Sequence, residues 1–204
     1  MRKTIMAILL MAGVSAHGGV IISDIELEVR ASNYTYQGAG PQAAINAFNA
    51  GAERCSMSLT QIVHVGAGPN CGIASNHGQS ISFDLNTDQN VRFQFGTDWG
   101  RGGVVYDSQG NWMDVLGDTW WARNFNHGDV FSYDVGPIQT RLTFLGFEGC
   151  CGGSTSARYS TDGGSSWQNV VATVPVPEPF MGLLLVLGVG ALWLRRNLKQ
   201  TRRG

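Results

Sequence analysis

The stretch Ser80–Phe95 reads SISFDLNTDQNVRFQF. Ile81, Phe83 and Leu85 alternate with Ser80, Ser82 and Asp84, and Val91, Phe93 and Phe95 alternate with Arg92 and Gln94. A period of two sends every second side chain to the same face of a strand, so each half predicts a strand with one face in a core and the other in water. Asp84 to Asn90 joins them and carries oxygen ligands at alternate positions, as a calcium loop does. An EF-hand needs Gly at position six and Glu at position twelve. Gln89 and Phe95 stand there instead. The segment reads as a solvated strand-to-strand loop.

The pattern repeats outward. Ile25, Leu27 and Val29 alternate with Asp24, Glu26, Glu28 and Arg30, and Phe131, Tyr133 and Val135 alternate with Ser132 and Asp134. Further strands are predicted over Ser56–Val65, Val104–Tyr106, Trp112–Leu116, Thr119–Arg123, Gln139–Phe147, Ala157–Ser160 and Trp167–Ala172. Gly66–Asn70, Ser108–Asn111 and Asp162–Gly164 supply turns between them. Pro41–Asn49 predicts one short helix with Pro41 in its first turn. Eight to eleven short strands with glycine-rich turns point to an all-β domain, an antiparallel β-sandwich of jelly-roll type. Such a domain of about 155 residues buries roughly 70% of its unfolded surface.

Composition agrees. Only 14% of the 204 residues are charged and 28 are glycine, against about 25% and ~7% in ordinary soluble domains. The net charge of −1 hides a division. Two cations precede the domain and five follow it, leaving seven arginines and fourteen carboxylates in between, a net −7. An acidic domain of this kind does not bind nucleic acid by neutralising phosphates.

The two ends read as an address. Arg2 and Lys3 precede an apolar stretch, Ile5–Val14, and Val14-Ser15-Ala16 puts small side chains where a signal peptidase cuts. Residues 1–16 are therefore expected to be a signal peptide, cleaved between Ala16 and His17 after passage through the Sec translocon. Residues 17–173 then form the exported β-sandwich. Residues 174–179, Val174-Pro175-Val176-Pro177-Glu178-Pro179, cannot begin a helix, because each proline lacks an amide donor and restricts its predecessor. Phe180–Leu194 is fifteen residues without a charge. As a helix it would rise about 22 Å, short of the ~30 Å hydrocarbon core. It predicts a short transmembrane span, with Arg195, Arg196 and the rest of the basic tail, residues 195–204, on the cytoplasmic side.

Pro177-Glu178-Pro179, the apolar run and Arg195-Arg196, in that order, resemble the PEP-CTERM sorting signal of Gram-negative bacteria. The resemblance covers about the last thirty residues. It implies an exosortase, a membrane-embedded cysteine transpeptidase, as partner. Val176, Pro177, Glu178 and Pro179 would be the processing motif. The domain would be held at the inner membrane, then passed to the cell surface or the exopolysaccharide matrix. Gly146-Phe147-Glu148-Gly149-Cys150-Cys151-Gly152-Gly153, with Asp98–Gly103 and Trp120-Trp121, is similar to a group of such proteins with a CCxG motif. That likeness implies no catalytic residues.

In an exported chain Cys55, Cys71, Cys150 and Cys151 are disulfide candidates. Three pairings are open: Cys55 with Cys71 and Cys150 with its neighbour Cys151, or either of two crossed arrangements. Ser160, Asp162, Gly164 and Trp167 fit S-x-D-x-G-x-x-W, the Asp box, a hairpin device in which the carboxylate takes turn amides and the indole packs beneath. Trp99, Trp112, Trp120, Trp121, Asn124 and Asp129 fall within some thirty residues. Tryptophan faces beside amide and carboxylate groups could stack on sugars and orient their hydroxyls. Trp120 and Trp121 would point to opposite faces of a strand. No nucleophile elbow, metal-ligand spacing or cofactor motif is present, so no catalytic residue, metal or cofactor is expected. The sequence reads as a non-enzymatic structural or glycan-binding surface protein. A secreted glycan-active hydrolase and a permanently anchored single-pass protein are the alternatives.

Overall fold

The computed structural model describes residues 19–173 apart from 120 and 122. The expected signal peptide and its Ala16–His17 cleavage point lie outside the described residues. So do Trp120, the motif Val176–Pro179, the apolar run 180–194 and the basic tail with Arg195 and Arg196. Among the described residues no helix is long and apolar enough to cross a membrane.

In chain order the elements are β1 (Ile21–Ala31), α1 (Pro41–Asn49), β2 (Glu53–Leu59), α2 (Ala67–Cys71), β3 (His77–Thr87), β4 (Val91–Asp98), β5 (Gly103–Asp107), β6 (Trp112–Val115), β7 (Val130–Val135), β8 (Ile138–Glu148), β9 (Ser154–Ser160) and β10 (Gln168–Asn169). They form two antiparallel sheets, ordered β2-β1-β3-β8-β5-β6 and β10-β9-β4-β7. The sheets share one core. Phe83 of the first meets Phe93 of the second at 5.8 Å between ring centroids, and Phe95 meets Phe144 at 4.9 Å. Burying each such ring contributes about 1.5–3 kcal/mol.

The sandwich stands as expected; its detail differs. A jelly roll has eight strands, whereas here six face four. Residues 88–90 connect β3 to β4 by crossing between sheets, not by closing a hairpin. In β1 the pairing shifts between Ser23 and Glu26, with Asp24 at φ 49°. That bulge brings Ile22 and Ile25, three positions apart, to the same buried face. The predicted strand Ser56–Val65 ends at Leu59, because the chain then changes partners: the Ile62 amide donates to the Val170 carbonyl, and Val65 bridges to Thr155 of the smaller sheet. Among the described residues of the predicted strand Thr119–Arg123, Thr119 makes a single bridge to Trp99, Trp121 is in no strand, and Arg123 sits at φ 57°. Pro41–Asn49 is the helix expected.

The strand directions separate the two ends of the sandwich. The first residues of β1, the turn after β3 and the hairpin between β5 and β6 lie at one end. There the Thr173 amide donates to the Ile22 carbonyl at 2.7 Å, and the Thr173 hydroxyl accepts from the Ile22 amide at 3.0 Å. The chain thus enters and leaves the domain side by side. The loops after β1, β4 and β8 lie at the opposite end.

Disulfides join Cys55 to Cys71 and Cys150 to Cys151. The first ties edge strand β2 to α2 across a sequence separation of 16. Replacing both Cys55 and Cys71 with serine is expected to cost about 3 kcal/mol, the closure entropy of a loop that size. A urea titration without reductant measures it, and an unchanged midpoint would contradict the assignment.

Candidate functional site

The loop end opposite Ile22 and Thr173 holds two adjoining concavities of about 610 and 480 Å³. Asp98 and Cys151 line both. His64, Trp121 and Arg123 wall the first; Arg101, Asp118 and Glu148 wall the second.

Glycine contacts allow these loops to meet. The Gly68 amide donates to the Gly152 carbonyl at 2.6 Å, and the Gly152 amide to the Ala74 carbonyl at 3.0 Å. A Cβ on Gly68 would stand 2.9 Å from the Gly152 Cα, closer than backbones tolerate. Cys151, Gly152 and Gly153 all have positive φ, at 67°, 89° and 51°. The chain therefore curls in left-handed steps around the vicinal disulfide. Gln79, fully buried on β3, accepts from the Ala67 amide at 2.9 Å and fixes the start of α2.

Glu148 fastens the loops together. It is 4% exposed. Its Oε2 accepts the Gly100 amide at 2.7 Å, and its Oε1 accepts the Gly149 and Cys150 amides at 2.7 and 2.9 Å. One carboxylate thus gathers both the β4–β5 and the β8–β9 loops. Beside it Asp98 is held above the usual carboxylate range, first by burial, then by the negative charges of Glu148 and Asp118.

On the opposite wall an Arg123 guanidinium nitrogen lies 2.9 Å from His64 Nε2. Arginine only donates, so the imidazole nitrogen accepts. Burial, and then the Arg123 charge, lower the His64 pKa and keep the ring neutral. His64, Asn76, Arg123 and Cys151 are four of the five non-glycine residues with positive φ among the described residues. Such conformations cost of order 1–3 kcal/mol each, and they persist only where their surroundings enforce them. Asn76 accepts from Arg101 at 3.1 Å, which ties it to the same end.

Of the six residues expected as a sugar platform, the five described ones do not come together. Trp99 is 0% exposed and belongs to the core. Its indole lies where a Cβ on Gly146 would fall, 2.0 Å from Trp99 Cδ2, so it cannot offer a face to a ligand. Trp121, 5% exposed, lies against Gly96 in the same manner. It contributes an edge to the concavity, not a stacking face. Trp112, 54% exposed, is on the edge strand of the larger sheet. Asn124 accepts the Asn126 amide at 3.0 Å, and the Asp129 amide donates to His127 Nδ1 at 3.3 Å, so both belong to the turn between Trp121 and β7. The span from Trp99 to Asp129 takes in β5 and β6 of the larger sheet and the loops on either side of them.

In the Asp-box segment, Asp162 accepts the Ser166 amide at 2.9 Å and its hydroxyl at 2.6 Å, while the Gly164 amide donates to Ser160 Oγ at 2.8 Å. The Ser160 hydroxyl, donating to Asp162 at 2.7 Å, and then the Ser166 hydroxyl and amide hold the Asp162 carboxyl far below its ordinary pKa. Trp167 lies against Arg158, whose guanidinium carbon is 4.6 Å from that ring and 4.2 Å from Phe125. Among the described residues no group of three or more His, Cys, Asp or Glu is placed to hold a metal ion.

Asp98 supports a pH prediction. Its folded pKa is raised above 3.8, so folding favours the protonated form. The ionised carboxylate therefore opposes folding at neutral pH, and this opposition vanishes below pH 3.8. Asp98→Asn is expected to be more stable than the wild type at pH 7 and equal to it near pH 3. Denaturant unfolding at the two pH values checks this, and equal stability at pH 7 would refute it.

No family model matches the chain, and no curated protein matches it. Loose structural likenesses exist. The PA14 domain of the MpAFP antifreeze protein shares 9% identity at a TM-score of 0.47, covering 79% of this chain and 96% of that one. The PA14 sugar-binding domain from an RTX adhesin shares 8% at 0.43, covering 74% and 99%. The epithelial adhesin 9 A domain from Candida glabrata, solved in complex with Galb1-4GlcNAc, shares 7% at 0.47, covering 77% and 93%. At this level of likeness neither ligand nor role transfers.

Proposed function

We propose that this chain is an exported surface or matrix protein of a Gram-negative bacterium, with a non-enzymatic glycan-binding β-sandwich. The carrying observation is the division of the sandwich into two ends. The first strand and the last described residue meet at Ile22 and Thr173, and the strained, cross-fastened loops around Asp98 and Cys151 occupy the other end. A domain tethered at one end would present the other to its surroundings. Carboxylates facing an arginine across an open concavity suit hydroxyl groups, which both donate and accept. Glu148 acts as a structural clasp, since both its oxygens are engaged by backbone amides.

The address rests on the sequence. Pro177-Glu178-Pro179, the run 180–194 and Arg195-Arg196 make the chain an exosortase substrate, held briefly in the inner membrane and then released to the surface or the exopolysaccharide. Intact mass of the surface form tests this: loss of about 25 C-terminal residues is expected. A species retaining them would instead be the permanently anchored protein.

Binding of the secreted domain, residues 17–173, to an array of oligosaccharides tests the glycan reading. Retention of one class, weakened by Asp98→Asn and by Arg123→Ala, is the expected result; no retained glycan would remove it. The raised Asp98 carboxyl beside Asp118 favours a second reading, a glycan-active hydrolase. Release of reducing ends by the wild type, abolished by Asp98→Asn, would establish that one instead.

A further inference from the structure

We propose that the outer face of the six-stranded sheet is a second binding surface, one that takes an extended, uncharged polysaccharide chain. The ligand class rests on the glycan reading above; the surface is separate from the loop end.

The strand register builds this face. Ser58 pairs with Glu26, Glu26 with Ser82, Ser82 with Thr143, Thr143 with Tyr106 and Tyr106 with Trp112. Directly paired residues share a face. This row therefore crosses all six strands, over about 24 Å at ~4.8 Å per strand. The inward alternates, Leu27, Ile81, Phe83, Leu142 and Phe144, fill the core, so the row points away from it. Half of the outer face is already covered: Tyr36, Ala44 and Phe48 pack over Val104, Leu145 and Phe147. The row lies beside that covered half: Ser58, Glu26 and Trp112 are exposed, Ser82 and Tyr106 half-buried, and Thr143 buried.

Its chemistry selects the ligand. Trp112, 54% exposed, is the largest exposed apolar side chain among the described residues. Its cross-strand partner Tyr106 is half-buried and packs against the second cluster with Val104 and Phe147. Two neighbouring aromatics at one end of a hydroxyl-bearing strip offer the flat apolar surface that a sugar ring covers and the polar partners that its rim requires. Arg141 is held at the centre of the strip. Its guanidinium donates to Asp84 at 2.8 Å, to Ser82 at 2.7 Å and to Glu26. Two carboxylates against one guanidinium leave the strip with one net negative charge, which disfavours acidic polymers. An extended neutral chain matches a flat strip of this length; a single terminal sugar does not.

The test is co-sedimentation of the secreted protein with neutral linear polysaccharides, β-1,4-glucan, β-1,3-glucan and β-mannan, and with polygalacturonate as the acidic control. Retention on at least one neutral polymer is expected. Trp112→Ala should weaken it at least about tenfold, as for a central aromatic contact, and Trp112→Tyr should restore most of it. Because Trp112 is exposed, the melting temperature of the alanine variant should be unchanged. Loss through Asp98→Asn but not Trp112→Ala would overturn the proposal, as would retention indifferent to Trp112, retention on polygalacturonate alone, or none on any polymer. Oligosaccharide binding that Trp112→Ala leaves intact would keep the loop-end reading alive in each of those cases.

Discussion

Glu148→Ala is expected to destabilise the domain by about 4–5 kcal/mol, the largest effect of any single change at the loop end. Each hydrogen bond to a charged group contributes about 1.5–3 kcal/mol, and stranding a buried donor adds a cost of ~1–3 kcal/mol. Three amides, those of Gly100, Gly149 and Cys150, lose their acceptor together. The desolvation cost of burying the carboxylate, recovered on its removal, keeps the net below the sum of the three. Glu148→Gln should recover less than half, because an amide group has only one accepting oxygen. Equilibrium unfolding gives the size, and amide exchange at 100, 149 and 150 gives the place. If those three amides exchange no faster in the alanine variant, the clasp is not what orders the loops.

Gly146→Ala comes next, at about 3 kcal/mol or more, a fall of roughly 10 °C in Tm for a domain this size. Overpacking ordinarily costs 1–3 kcal/mol, because neighbours yield. Here the added carbon would stand 2.0 Å from Cδ2 and 2.2 Å from Cε2 of Trp99. The ring has little room to retreat: it is fully buried, and its Cε3 lies only 2.9 Å from where a Cβ on Gly103 would stand. The effect should therefore depend on the indole. Trp99→Ala alone should cost about 3–5 kcal/mol. The double variant should lose much less than the two singles combined, since the new methyl enters the space the ring vacated. Strict additivity would show that the glycine is required for some other reason.

These two residues show where sequence reading stops. The alternation in Ile81–Leu85, Val91–Phe95 and Phe131–Val135 gives strands because period two and one buried face are local properties. The helix Pro41–Asn49 is legible for the same reason. Sheet membership is not local. Nothing in Asp88–Asn90 announces a crossing between layers, and the bulge at Asp24 appears only through its pairing with β3. The tryptophans were read as a cluster because they are near in sequence. The glycines that seat Trp99 and Trp121 lie on other strands or earlier in the chain, at 146, 103 and 96. Glu148 and Asp98 were quoted as motif letters without roles. The left-handed backbones of His64 and Arg123 carry no signal in residue type at all, since tertiary contacts impose them. A glycine inside a strand was the one available hint, because it often marks a close approach by a neighbour.

The bonds between Thr173 and Ile22 bear on the fate of the mature molecule. They seal the last strand-like residue to the first strand just before the proline segment begins. The processing proposed above, at any peptide link beyond that seal, would leave every core contact among the described residues intact. A released domain and a still-attached precursor would then share one melting curve, so an enzyme acting there could change the cargo's destination without spending any of its folding stability.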